Sequence, residues 1–256
     1  MTGIFDSHSH YDDSAFDEDR EELLGGLLNE GGVETIVHAC AKFEDALSGV
    51  MMSEKYDYIY SSVGVHPEEC DNLPPDYISV LRDIATSHKK VVAIGEIGLD
   101  YHYEGFDRDF QIKNFKEQLS LAKELSLPVI IHSRDATADM TEILSERKPK
   151  GVMHCFSGSA ETAKVYLSWG MYLGFTGVVT FKNARKVIEA LEVTPLDRIL
   201  IETDCPYMAP VPYRGKRCDS RMLIHTAEKI AEVKGVSTEE LIRISNENAK
   251  RLFSIE

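Results

Sequence analysis

The chain has 256 residues, enough for one large α/β barrel or two ordinary domains around a substantial core. Hydrophobic residues make up 43% and charged ones 28%, the balance of a globular protein, and no apolar run approaches the roughly 18 residues that span a bilayer. With 28 basic against 43 acidic residues the net charge is −15, which argues against a scaffold that wraps long nucleic acid through many phosphate contacts. An enzyme that holds a few phosphates beside cations stays open, because bound metal reverses the local field.

From the N-terminus, short apolar runs alternate with helix-compatible stretches. The runs are Gly3 to Phe5, Val33 to Val37, Tyr58 to Val65, Val91 to Ile94, Pro128 to Ile131, Gly151 to Met153, Met171 to Phe175 and Arg198 to Ile201. The acidic stretch Asp12 to Glu22 reads as the cap and first turn of the first helix, where carboxylates meet the positive end of the helix dipole. Helical spacing is clearest from Phe110 to Leu125, and two more helices are expected over Arg221 to Val233 and Thr238 to Phe253. Ser237 and Glu240 stand in capping-box spacing ahead of the last. Short strands alternating with amphipathic helices imply parallel βαβ units. Eight of them in about 250 residues predict a (β/α)8 TIM barrel as one domain over residues 1–256.

Polar residues appear where the apolar runs stop. His8 and His10 follow the first run and are two apart, so on an extended chain they share a face. Glu96 follows the fourth run, His132 the fifth, His154 the sixth and Asp204 the eighth. In a barrel these ends converge on the C-terminal rim, where active sites of this architecture sit. Each residue alone has an ordinary structural explanation, but four imidazoles and two carboxylates on one rim are costly to desolvate unless they share cations. Six ligands exceed what one zinc takes, so the pattern points to two divalent cations with Glu96 as a bridging carboxylate. Imidazole-rich ligation suits zinc, manganese or iron better than a magnesium-specific site, although magnesium stays a candidate. Paired cations suit phosphoester hydrolysis by an activated water, with Asp204 as general base and Glu96 as the second catalytic carboxylate.

Candidate phosphate contacts surround this set. His66 ends the third run. Ser157-Gly158 precede a helix expected near Ala160, as an anion site or as an ordinary N-cap. Gly174 to Gly177 lead to Lys182, and the loop Tyr213 to Arg217 carries Arg214, Lys216 and Arg217. Substrate contact is assigned to His66, Lys182, Arg214 and Arg217. Trp169, Tyr56, Tyr58 and Tyr60 read as packing residues. Five cysteines at irregular spacing argue against a disulfide framework and for a reducing compartment; Cys40, Cys70 and Cys218 read as small buried hydrophobes, while Cys155 and Cys205 follow two candidate ligands, and with no signal-like N-terminal segment a cytoplasmic location is expected.

The blocks Asp6-Ser7-His8-Ser9-His10, Gly64-Val65-His66-Pro67, Ile94 to Tyr101, Pro128 to His132, His154 to Gly158, Glu202 to Tyr207 and Asn248 to Phe253 together resemble the TatD-type metal-dependent deoxyribonucleases of the amidohydrolase-like barrel group. They run nearly end to end, in order. The resemblance implies a TIM-type barrel and divalent-metal hydrolysis of DNA phosphodiesters, exonucleolytic from a 3′ end, with roles in DNA repair or degradation. It also implies metal ligation by His8, His10, Glu96, His132, His154 and Asp204. The family's basic loop usually reads Arg-Gly-Lys-Arg-Asn, whereas here Cys218 follows Arg217.

The implied partner is a DNA end or short oligonucleotide; no membrane and no obligate protein partner is inferred. The alternatives are hydrolysis of another ester or amide on the same site, such as a lactone or a mischarged aminoacyl-tRNA, and a non-catalytic scaffold role. A fold hosts many reactions, so the cations beside the site are what would separate a phosphodiester from a neutral substrate.

Overall fold

A computed structural model describes residues 2–256, without the side chain of Glu30. Every expected apolar run forms a strand: β1 (Ile4–Ser9), β2 (Val33–His38), β3 (Ile59–Val63), β4 (Val91–Asp100), β5 (Val129–Arg134), β6 (Gly151–Met153), β7 (Tyr172–Phe175) and β8 (Ile199–Ile201). Each is followed by a helix: α1 (Arg20–Glu30), α2 (Ala46–Lys55), α3 (Tyr77–Ser87), α4 (Arg108–Leu125), α5 (Thr137–Arg147), α6 (Ala160–Ser168), α7 (Arg185–Val193) and α8 (Leu223–Lys234). A last helix, α9, covers Thr238–Phe253.

The strands form one eight-stranded sheet in sequence order, β1 to β8. Beyond the end of β8, Cys205 makes a parallel bridge to Ser9, and its carbonyl accepts the His10 N–H at 2.9 Å, so the last strand returns to the first. Parallel strands in sequence order, each crossing over through a helix, are the (β/α)8 barrel class. Helices cover parallel sheets on their outer face, which is why these strands read as apolar runs rather than alternating patterns; all ten residues of β4 are buried.

Contacts group the chain into two compact units. One comprises the residues up to His38 with Cys155–Arg251 and Ile255–Glu256; it holds β1, β2, β7 and β8. The other comprises Ala39–His154 with Leu252–Ser254 and holds β3 to β6.

Local signals explain most element ends. Asp107 caps α4 by accepting the Phe110 N–H, and Ser237 accepts the Glu240 N–H ahead of α9 at 3.1 Å. Gly235 ends α8 in the left-handed conformation, φ +67°, which a glycine adopts without steric cost. Three details differ from the expectation. The acidic stretch first makes a short 3-10 turn, Ser14–Phe16, capped by Asp13, and α1 starts only at Arg20. The cap of α6 is Ser159, which accepts the Thr162 N–H, rather than Ser157. A 3-10 turn over Ser220–Met222 takes the first residues of the helix expected from Arg221.

Candidate metal centre

In the first unit, β1 carries His8 to its end and His10 just beyond it. The Nε2 atoms of His8 and His10 lie 2.9 Å apart, and their rings meet edge-on with centroids 4.7 Å apart. Asp204, just past β8, places Oδ1 3.8 Å from His8 Nε2 and 3.5 Å from His10 Nε2. The Asp204 N–H donates to the His8 carbonyl at 3.0 Å, so main-chain pairing sets this spacing. Three donor atoms converge within 4.8 Å of one another. Donors of one tetrahedral zinc, at bond lengths near 2.0–2.1 Å, lie about 3.3 Å apart, so this set fits a divalent cation.

Asp6, fully buried at the start of this segment, braces it. Its carboxylate accepts the Thr203 N–H at 3.0 Å, the Thr203 hydroxyl at 2.7 Å and the Ser220 hydroxyl at 2.6 Å. Burial pushes its pKa up to about 6, against the pull of those hydrogen bonds. Glu202, also buried, accepts the Cys155 N–H through one carboxylate oxygen, at 2.5 Å. Its other oxygen faces the Ser7 hydroxyl at 3.4 Å.

In the second unit, Glu96 is 3% exposed and lies inside β4, which runs on to Asp100, rather than at the strand's end. Its Oε1 faces three imidazoles: His132 Nδ1 at 3.0 Å, His66 Nε2 at 3.6 Å and His154 Nε2 at 3.8 Å. The other nitrogen of His132 is held by Asp100 Oδ2 at 2.8 Å. A carboxylate on the far nitrogen is the usual way a metal-ligating imidazole is oriented, so this set also fits a cation. Burial pushes His132 down, but hydrogen bonds to Asp100 and Glu96 outweigh it and lift its pKa to about 9. Burial raises Asp100, while the hydrogen bonds from His132 and the His102 N–H hold it below the usual carboxylate range.

Gly98 makes the approach of β4 to β5 possible. It pairs in register with His132 at φ +152°, and a Cβ there would collide with the His132 carbonyl oxygen.

Of the residues assigned to substrate, His66 joins Glu96 and His132 as a third potential ligand, its ring centroid 4.4 Å from that of His132. Lys182 and Arg214 are exposed, and the Arg214 guanidinium lies over the Phe181 ring at 4.4 Å. Arg217 is committed elsewhere: both terminal nitrogens donate to Asp19, at 2.7 and 2.6 Å, and one also donates to the Ala15 carbonyl. Asp6, Asp100 and Glu202 were not among the expected site residues, although each lies in a block that carries the TatD resemblance. His38 was missed as well. It is wholly buried at the end of β2, neither ring nitrogen has a hydrogen-bond partner among the described residues, and its Nε2 is 3.7 Å from Asp12 Oδ2. None of the five cysteines is in a disulfide; four are buried and Cys155 is partly buried.

A parallel (β/α)8 fold with a His/Asp cluster beside the ends of β1 and β8 and a His/Glu cluster around Glu96 of β4 is the arrangement of a barrel hydrolase that works with divalent metal. The family model described as TatD related DNase matches residues 5–254. A Bacillus subtilis relative named uncharacterized metal-dependent hydrolase YabD is 44% identical over 98% of this chain and 99% of its own length. The Cronobacter sakazakii protein named 3′-5′ ssDNA/RNA exonuclease TatD is 34% identical over 98% of this chain and 97% of its own. Among solved structures, the TatD homologue YjjV of Escherichia coli K12 superimposes with a TM-score of 0.93 at 28% identity, covering 99% of both chains. The chain belongs to the TatD family of metal-dependent hydrolases. Among the described residues no helix is long and apolar enough to cross a membrane.

Proposed function

We propose that the chain is a deoxyribonuclease of the 3′-5′ exonuclease type, built as a single domain over residues 1–256, which hydrolyses phosphodiester bonds at DNA ends. The observation that carries it is the pair of donor clusters, His8/His10/Asp204 and His66/Glu96/His132, each with its donor atoms within 4.8 Å. One divalent cation is assigned to each, with His154 completing the second through its approach to Glu96. When bound, such cations lower the pKa of water and neutralise charge on phosphoryl oxygens. The Asp204 carboxylate accepts the proton of the attacking water. Glu96, buried among three imidazoles, fixes His132 from one side while Asp100 fixes it from the other. Lys182 and Arg214 meet the substrate's phosphates; Arg217, bound to Asp19, holds the loop that presents Arg214.

The name of the Cronobacter relative supports a nucleic-acid substrate. The test compares metal-stripped protein, reloaded with Mg²⁺, Mn²⁺ or Zn²⁺, on 5′-labelled single-stranded DNA and on a neutral carboxylic ester. Stepwise, metal-dependent shortening of the DNA is expected. Replacing Lys182 and Arg214 together by Ala should raise KM for DNA tenfold or more and leave kcat nearly intact, as loss of uniform binding does. Ester hydrolysis without DNA cleavage, insensitive to those two replacements, would assign the site to the alternative class of esters and amides, aminoacyl-tRNA included.

A further inference from the structure

His38 breaks the rule that buried polar side chains find hydrogen-bond partners. It ends β2 and pairs in register with Ser9, the residue between His8 and His10. The residue is wholly buried, and neither ring nitrogen has a hydrogen-bond partner among the described residues. Valine or leucine would close this apolar run without leaving a buried donor and acceptor unsatisfied, so the imidazole calls for a ligand.

Its Nε2 faces Asp12 Oδ2 at 3.7 Å. That separation exceeds the roughly 3.2 Å limit of an N–H···O hydrogen bond. It matches instead the spacing of donors that share one cation. In the same unit Asp204 Oδ1 stands 3.8 and 3.5 Å from the nitrogens of His8 and His10, and donors around a tetrahedral zinc stand about 3.3 Å apart. The Asp12 side chain is 26% exposed, so the pair can be reached from solvent on one side. His38 is the one partner of that carboxylate among the described residues. The neighbouring Arg20 does not compete for it: its guanidinium is spent on the carbonyls of Tyr11, Asp12 and Asp13 and on the Asp17 carboxylate.

We propose that His38 Nε2 and Asp12 Oδ2 form an accessory site for a divalent cation of the zinc type, separate from the His8/His10/Asp204 set. An imidazole paired with a carboxylate favours zinc, iron or nickel over magnesium and calcium, which take oxygen ligands. The ring proton sits on Nδ1 and the Nε2 lone pair meets the metal. Two protein donors leave the other positions to water from the exposed side, so this site binds more weakly than a set of three or four donors. A cation here adds positive charge beside β1 in a chain of net charge −15, whatever bond the enzyme cleaves. The assignment therefore goes beyond the phosphodiesterase reading and does not rest on it.

Zinc alone is the probe. Crystals of the full chain soaked in zinc chloride are measured on both sides of the zinc absorption edge, and an anomalous peak is expected between His38 Nε2 and Asp12 Oδ2. In solution, metal-stripped protein is dialysed against free zinc high enough to saturate the stronger sites, and the retained metal is counted. Wild type should retain about one equivalent more than His38→Leu or Asp12→Ala. Asp12→Ala changes a partly exposed side chain and keeps the backbone carbonyl that Arg20 uses, so it carries the test if His38→Leu fails to fold; thermal melting in EDTA checks both. The same loss should appear when Asp12→Ala is made in an Asp204→Ala background, which separates this site from the His8/His10/Asp204 set. Equal zinc retention by wild type and Asp12→Ala would overturn the proposal, as would a loss that vanishes in the Asp204→Ala background. A bridging water without anomalous signal, or a direct His38–Asp12 hydrogen bond in the soaked crystals, would overturn it as well.

Discussion

The carboxylate of Asp6 receives both the backbone N–H and the hydroxyl of Thr203, residues 197 positions apart. Asp6 lies two residues before His8, and Thr203 directly precedes Asp204. The pair therefore helps set the distance between His8 of β1, with His10 just beyond it, and the carboxylate beyond β8. Replacing Thr203 by Val keeps the shape but removes a donor from a wholly buried carboxylate. We expect a loss of about 1–3 kcal/mol, read as a lower urea midpoint of the metal-free protein, together with weaker metal uptake. An unchanged midpoint and unchanged metal affinity would show that Asp6 does not need this donor.

Gly98 has the same role in the second unit. Gly98→Ala should cost more than about 1 kcal/mol, because the left-handed φ and the collision with the His132 carbonyl add. Metal bound to the Glu96 cluster should fall with it. A variant as stable as wild type in thermal melting, with full metal content, would show that β4 and β5 can separate without consequence.

His38 ties stability to pH. Burial depresses its pKa from 6.5 to about 4, with Asp12 opposing and His10, His8 and Arg20 adding to the depression. Above 6.5 the ring is neutral in both the folded and unfolded chain. Between 6.5 and about 4 the unfolded chain takes up a proton that the folded one refuses, so stability falls as pH falls through that window. The full effect is about 3 kcal/mol. The metal-free His38→Asn variant should lose correspondingly less stability than wild type between pH 7 and pH 4 in urea titrations. Parallel curves would mean that His38 is protonated in the fold.

Salt dependence reports how much nucleic acid the protein grips. With a net charge of −15, and with Arg217 already spent on Asp19, few cations are left for phosphates. Binding of a single strand should therefore weaken shallowly with salt, at about −0.7 in the log–log slope per phosphate contacted. A slope steeper than about −4, the value for six contacts, would contradict an enzyme that holds only a chain end.

The strands were legible because parallel strands covered by helices on one face must be apolar, so each run had no other place to go. The polar residues after the runs were legible because they come where an apolar run stops: His132 follows Pro128 to Ile131, His154 follows Gly151 to Met153, and Glu96 follows Val91 to Ile94. What the sequence hid depends on partners far along the chain. Arg217 and Lys182 look alike as loop cations, and nothing near Arg217 announces that Asp19, 198 positions away, will hold it. Asp6 and Asp100 look like turn or cap residues until Thr203 and His132 are placed against them. His38 ends an ordinary apolar run, and only its burial without a hydrogen bond sets it apart. Ser157 and Ser159 flank the same glycine, so local chemistry could not choose the cap of α6 between them.

The most direct measurement is hydrolysis of single-stranded DNA by the Asp204→Asn variant beside wild type, both stripped of metal and reloaded, with metal content determined on the same samples. Asparagine keeps the shape and an oxygen donor but is a far weaker proton acceptor. Turnover should fall by about a hundredfold or more while the fold survives and the Glu96 cluster keeps its metal. A variant that loads metal and cleaves DNA at the wild-type rate would contradict Asp204 as the proton acceptor, and with it the chemistry proposed for this site.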